Sequence, residues 1–129
     1  MSNTRMPRPA LGSLHHVSVQ VTDLTAALHF YKDILGLAEV DTPPDILAND
    51  IRWLDLGQGR MLHLVQTEDV IPAPRAHFAI TVDDVAGWRA YLEANQVEIL
   101  APTVAVYGAE RFFMRDPSGN LLELVNWPI

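Results

Sequence analysis

The chain has no cysteine in its 129 residues. Disulfides, thiolate nucleophiles and thiolate metal sites are therefore excluded, and the absence fits a reducing compartment. Basic residues are also few: 9 Lys and Arg stand against 16 Asp and Glu, for a formal net charge of −7. A nucleic-acid partner requires a basic stripe to neutralise phosphates, so none is expected. No apolar run reaches the length of a membrane span. No basic amphipathic segment suits a membrane surface either. The opening stretch MSNTRMPRPALG lacks the apolar core of a signal peptide. These absences point to a cytoplasmic protein with neither a nucleic-acid nor a membrane partner.

What is present is a repeat. Residues 14–37 read LHHVSVQVTDLTAALHFYKDILGL, and residues 77–97 read HFAITVDDVAGWRAYLEANQV. Laying His16 on His77 brings Val19 onto Ile80, Val21 onto Val82, Asp23 onto Asp84 and Phe30 onto Tyr91. Each copy is one alternating strand followed by an amphipathic helix. In the first strand Val17, Val19 and Val21 face a helix, while His16, Ser18 and Gln20 face away. Thr22 or Asp23 caps the helix that follows, and Gly36 stops it. In the second copy Phe78, Ile80 and Val82 face the helix, and Asp83 or Asp84 is the cap.

The remaining segments repeat the same plan. A short strand is expected at 37–41, then a loop at 42–49, where Pro43-Pro44 argues against helix and ladder alike. Two strands flank Gly57-Gln58-Gly59 as a hairpin, the second placing Met61, His63 and Val65 on one face. The proline-broken residues 67–76 link the halves. The second half continues with a short strand at 97–100, an irregular stretch at 103–109, and strands at 110–115 and 121–126. The last two are joined by the Asp116-Pro117-Ser118-Gly119 turn. The fold class is α+β: two βαβββ modules, about 13–68 and 75–127, in one domain at 13–129 behind a flexible tail at 1–12. Curved sheets with uncovered edges favour a homodimer.

Four residues fall at matched places. His16 and His77 open the first strand of each module; His63 and Glu123 lie in the last. A pseudo-twofold relation would bring them together as a nitrogen and oxygen ligand set for Zn²⁺, Ni²⁺, Mn²⁺ or Fe²⁺. Glu123 stands in an apolar strand, where a carboxylate is costly unless it meets a cation. If that cation is not a metal, Arg111 or Arg115 is the first candidate. His15 and His29 read as surface or structural histidines.

The segments HHVSVQVTDLTAALHFYKDILGL, HFAITVDDVAGW and DPSGNLLELV resemble the vicinal oxygen chelate superfamily, which includes glyoxalase I, bleomycin- and fosfomycin-resistance proteins, epimerases and extradiol dioxygenases. The resemblance implies paired modules forming a half-open barrel around one divalent metal, usually in a dimer. It maps first-strand ligands to His16 and His77, a final-strand Glu to Glu123, and a fourth ligand to His63. Glyoxalase I-type isomerases carry Glu at that fourth position and epimerases commonly Gln, so His63 here binds metal or shuttles the proton itself. Gln20 stands in the strand where glutathione-dependent members have arginine.

The leading function is a metal-dependent enzyme acting on a small molecule with vicinal oxygens, by isomerase, lyase or epimerase chemistry through a stabilised enolate. His63 and Glu123 would be its catalytic groups. Ser18, Gln20, Met61, Val65 and Thr81 would line the pocket, with specificity set by loops 42–50 and 101–110. An Fe²⁺ ring-cleaving dioxygenase and a non-catalytic drug-binding protein are the alternatives.

Overall fold

The computed structural model describes residues 5–128; residues 1–4 of the expected tail, and residue 129 of the expected domain, lie outside them. Strand β1 (His16–Val21) leads into helix α1 (Leu24–Leu28), which widens into a π-helical turn at His29–Ile34. A short α2 (Pro44–Leu47) precedes the hairpin of β2 (Ile51–Gly57) and β3 (Arg60–Gln66). The second half holds β4 (His77–Thr81), α3 (Val85–Ala94), β5 (Glu110–Arg115) and β6 (Leu121–Asn126).

The two halves have the same topology. One sheet runs β1-β3-β2 and the other β4-β6-β5. In each, the first strand is parallel to the last, and the last two are antiparallel. The parallel pairing needs a crossover, and the helix after each first strand supplies it. Asp23 accepts a hydrogen bond from the backbone N–H of Ala26, and Asp84 from that of Gly87, so of the expected alternatives these two are the caps.

Three local features differ from the sequence reading. The short strands expected at 37–41 and 97–100 shrink to single bridges, Glu39 to Leu54 and Leu100 to Phe113. Pro43-Pro44 and Pro102 follow them closely, and proline cannot donate to a ladder. The 42–49 loop contains α2, with Pro44 in its first turn. Pro43-Pro44 was read as forbidding helix, but proline at the first helical position gives up only an N–H that has no partner anyway. The first helix is not α throughout: its second half is a π turn, which brings Phe30 and Tyr31 inward together.

One core serves both halves. Val21, Leu54, Leu62 and Leu64 of the first are fully buried, as are Leu92, Phe112, Met114 and Leu122 of the second. Each such side chain contributes about 1.5–3 kcal/mol relative to exposure. Polar contacts close the seam. Tyr31 Oη donates to Asp116 Oδ2 at 2.7 Å. Asn120 Nδ2 donates to the carbonyl of Gln20 at 2.7 Å, and the Thr22 N–H donates to Ser118 Oγ at 3.0 Å. Asp116 is 4% exposed and also accepts the N–H groups of Ser118 and Asn120. Burial, and then Asp116, raise the Tyr31 pKa well above its usual value.

The Gly57-Gln58-Gly59 hairpin forms as expected, with Gln58 and Gly59 both at positive φ (54° and 77°). That conformation matches the twist of the flanking strands. Residues 67–76 and 101–109 are irregular. Among the described residues no helix is long and apolar enough to cross a membrane.

Candidate metal centre

Strand alternation places every candidate. In β5, Phe112 and Met114 enter the core, which leaves Arg111, Phe113 and Arg115 on the opposite face. In β6, Leu122 and Leu124 enter the core, while Leu121, Glu123 and Val125 share the other face. The register sets Ala79 and Phe113 on either side of Glu123. His77 and Arg111 are then its diagonal neighbours, within reach of long side chains.

Glu123 is 4% exposed, and both its oxygens are engaged. Oε1 lies 3.1 Å from His77 Nε2, and Oε2 accepts from Arg111 Nη1 at 3.1 Å. His77 Nδ1 sits 2.7 Å from the carbonyl oxygen of Arg75. A carbonyl only accepts, so Nδ1 carries the proton. Nε2 of the neutral ring is then a lone pair directed at a carboxylate. A second proton on Nε2, or a cation between the two groups, resolves that clash.

The other two candidates lie on the first sheet. The His16 and His63 rings stack with centroids 4.0 Å apart, and Trp53 stacks on His63 at 4.7 Å. His16 Nδ1 is 2.8 Å from His15 Nδ1, so the exposed His15 is hydrogen-bonded beside the candidate pair, in keeping with its surface or structural reading. His63 Nε2 is buried and has no hydrogen-bond partner among the described residues. Burial, and next the rings of His16 and His15, lower the His63 pKa. His29 pairs with Asp33 on the exposed helix face, as its surface reading required.

The four candidates thus form two pairs, one per sheet. Among the described residues of one chain, no three His, Asp or Glu side chains come together to hold a metal. The repeat left open whether the four meet within one chain or across a dimer; among the described residues of the isolated chain they do not meet.

Beside His77 lies a cavity of about 280 Å³, lined in part by Arg75, Arg111, Phe113, Arg115, Thr103 and Val104. Thr103 and Val104 belong to the loop expected to set specificity, whereas loop 42–50 does not reach this cavity. Ser18, Gln20, Met61, Val65 and Thr81 do not line it either; they lie at exposed or half-buried positions on the two sheets. The sequence reading brought in Arg111 only as a substitute for a metal, and it missed Trp53. Alternation in β5, read against Glu123, was the available signal for Arg111.

A sequence model of the Glyoxalase/Bleomycin resistance protein/Dioxygenase superfamily matches residues 13–124. The chain belongs to this superfamily. The metallothiol transferase FosB of Staphylococcus saprophyticus is 29% identical over 118 residues, covering 87% of this chain and 75% of that protein. A glyoxalase family protein from Bacillus anthracis superposes with a TM-score of 0.84 at 23% identity, over 95% of this chain and all of the other. The fosfomycin resistance protein FosX of Listeria monocytogenes gives 0.78 at 18%, over 93% and 97%. The superfamily fold is therefore present, as paired modules whose sheets do not close into a barrel.

Among the described residues of one chain the two pairs do not assemble a metal site, but features of two candidates suit a divalent ion. Metal-binding histidines commonly donate their other ring N–H to a backbone carbonyl, as His77 does to Arg75. His63 offers a buried nitrogen without a hydrogen-bond partner among the described residues. The donor set is imidazole and carboxylate, suited to Zn²⁺, Mn²⁺, Ni²⁺ or Fe²⁺.

Proposed function

We propose that the protein is a homodimeric, divalent-metal-dependent enzyme acting on a small anionic molecule that bears oxygen donors. The observation that carries this reading is the His77–Glu123 contact: the Arg75 carbonyl engages Nδ1, and Nε2 is aimed at a carboxylate 3.1 Å away. Because the candidates pair by sheet, the site is completed across the dimer. His16 of one protomer, with His63 beside it, joins His77 and Glu123 of the partner subunit. Strands β1 and β4 are sheet edges, and an unpaired edge invites association.

A bound divalent ion would supply Lewis-acid polarisation of a substrate oxygen. The chain's own groups do the rest. Arg75, Arg111 and Arg115 line the cavity and attract an anion, although the chain as a whole is acidic. Phe113 and Leu121 give the cavity apolar wall, which excludes water around the substrate. His63, whose pKa burial lowers, supplies Nε2 as a donor to the ion beside His16. The similarity to the metallothiol transferase supports a transfer or addition reaction with a thiol as one candidate chemistry.

A second reading has its own observation. Arg111 already neutralises Glu123, so a metal-free protein that sequesters an anionic ligand in the same cavity is the alternative. The deciding experiment dialyses apo protein against Mn²⁺, Zn²⁺, Ni²⁺ and anaerobic Fe²⁺. Each loaded form is then assayed on fosfomycin with a thiol, on α-hydroxycarbonyls and on catechols. Stoichiometric ion uptake with turnover supports the enzyme. Tight ligand binding without ion uptake or turnover supports the binding protein.

A further inference from the structure

Arg111 holds Glu123 from a fixed position. Its Nη1 donates to Glu123 Oε2, its Nη2 donates to the carbonyl of Val104, and its guanidinium carbon lies 5.5 Å over the Phe113 ring. The Arg111 side chain is 12% exposed and that of Glu123 6%. The pair is therefore shielded from solvent, where charge is expensive unless balanced. As it stands it is balanced: one guanidinium, one carboxylate.

The balance fails once a divalent ion takes His77 and Glu123. One carboxylate then faces two positive charges from the ion and one from Arg111. Arg111 cannot relieve this by losing a proton. Two further cations stand at the same cavity. Arg115 Nη1 donates to the carbonyls of Ala73 and Gly119, neutral acceptors that fix it without cancelling its charge. Among the described residues no carboxylate pairs with Arg75 or Arg115. The cavity thus carries an excess of positive charge, which an anionic ligand would offset.

We propose that Arg111 is shared: it neutralises Glu123 in the metal-free protein and holds the substrate's anionic group when metal is bound, so that metal and anion binding reinforce each other. This rests on the metal-enzyme reading above. Arg111 opposes metal when no anion is present, and an anion in the cavity removes that opposition. By linkage, metal must strengthen anion binding by the same factor. Because Arg111 already lines the cavity, its guanidinium serves either partner from one wall.

The test is titration calorimetry of Mn²⁺ into apo protein, with and without sulfate as the anion probe. In wild type, sulfate should tighten Mn²⁺ binding by about fivefold or more. Arg111→Met should bind Mn²⁺ more tightly than wild type without sulfate and should lose the sulfate effect. Arg111→Lys keeps the charge but not the fork; it should retain opposition to metal while losing part of the sulfate effect, and it covers the case in which the Met variant does not fold. Mn²⁺ binding indifferent to sulfate, and unchanged or weakened in both variants, overturns the sharing while leaving the metal site standing. Failure of wild type and Arg111→Met alike to bind Mn²⁺, with or without sulfate, overturns the metal reading and this inference together.

Discussion

His77 Nε2 and Glu123 Oε1 face each other at 3.1 Å across two parallel strands, with the opposite ring nitrogen of His77 tied to the Arg75 carbonyl. A backbone carbonyl thereby fixes which nitrogen of His77 is available. The Glu123→Gln variant tests what that nitrogen is for. It keeps the volume and removes the charge, so the fold should survive at a cost of about 3–5 kcal/mol, because Arg111 is left without its buried counter-ion. Wild type should melt at higher temperature with added Mn²⁺ or Zn²⁺, by mass action on the native state; the variant should not. Thermal melts of both proteins across a metal series make the comparison.

Tyr31 joins the two halves through Asp116. Tyr31→Phe should cost about 1.5–3 kcal/mol, the loss of one buried bond to a charged acceptor. The Asp116 carboxylate keeps its other donors, Ser118 and Asn120. The pH dependence has a definite sign. The folded-state Tyr31 pKa is raised, so its stabilising contribution is complete below the unfolded value of about 10 and is lost as pH rises from there toward the folded value. Urea melts between neutral and alkaline pH should show that loss in wild type and less of it in Tyr31→Phe.

His63 predicts the opposite side of the pH scale. Its folded pKa is lowered, chiefly by burial and then by His16 and His15. The unfolded chain therefore takes up a proton first on acidification. Stability associated with His63 is present above the ordinary value of about 6.5 and is lost as pH falls from there through the folded value. Metal-free wild type should lose stability across this window, and His63→Gln should lose less. Parallel curves for the two proteins would show that His63 carries no such contribution.

The sheet architecture was legible because β1 alternates apolar and polar residues, because β4 and β6 are apolar runs bounded by turn residues, and because the same order recurs about sixty residues on. Both Asp caps and the Asp116 turn were legible for a local reason: their hydrogen bonds form within a few residues. The bridges at Glu39 and Leu100 were not, because a short strand's extent depends on how many partners the neighbouring prolines leave it. The π turn at His29–Ile34 was hidden too, since it is selected by packing Phe30 and Tyr31 into one core, not by propensity. At the site, the repeat identified His16, His63, His77 and Glu123 by position. It also put His16 with His63 and His77 with Glu123, one pair per module; it could not show that the two pairs stay apart within one chain, which depends on how the two sheets are set against each other.

Gly119 supports the cavity indirectly. It adopts a φ of +94°, its carbonyl accepts from Arg115, and a Cβ there would meet Pro72 Cγ at 2.8 Å. Gly119→Ala should cost about 1–3 kcal/mol through backbone strain alone. It should also weaken anion binding by displacing Arg115, a second effect visible by titrating sulfate into the folded variant.

The central claim is a metal site shared between protomers, and a mixed dimer tests it most directly. His16→Ala and Glu123→Gln chains carrying different affinity tags are co-expressed, and the heterodimer is isolated by tandem purification. Its bound Mn²⁺ is then counted. A shared site leaves one position of the pair with both mutations and the other intact, so the heterodimer should retain about one ion per dimer while each parent homodimer retains none. A heterodimer as empty as its parents, beside a wild type that binds the ion fully, would contradict the account.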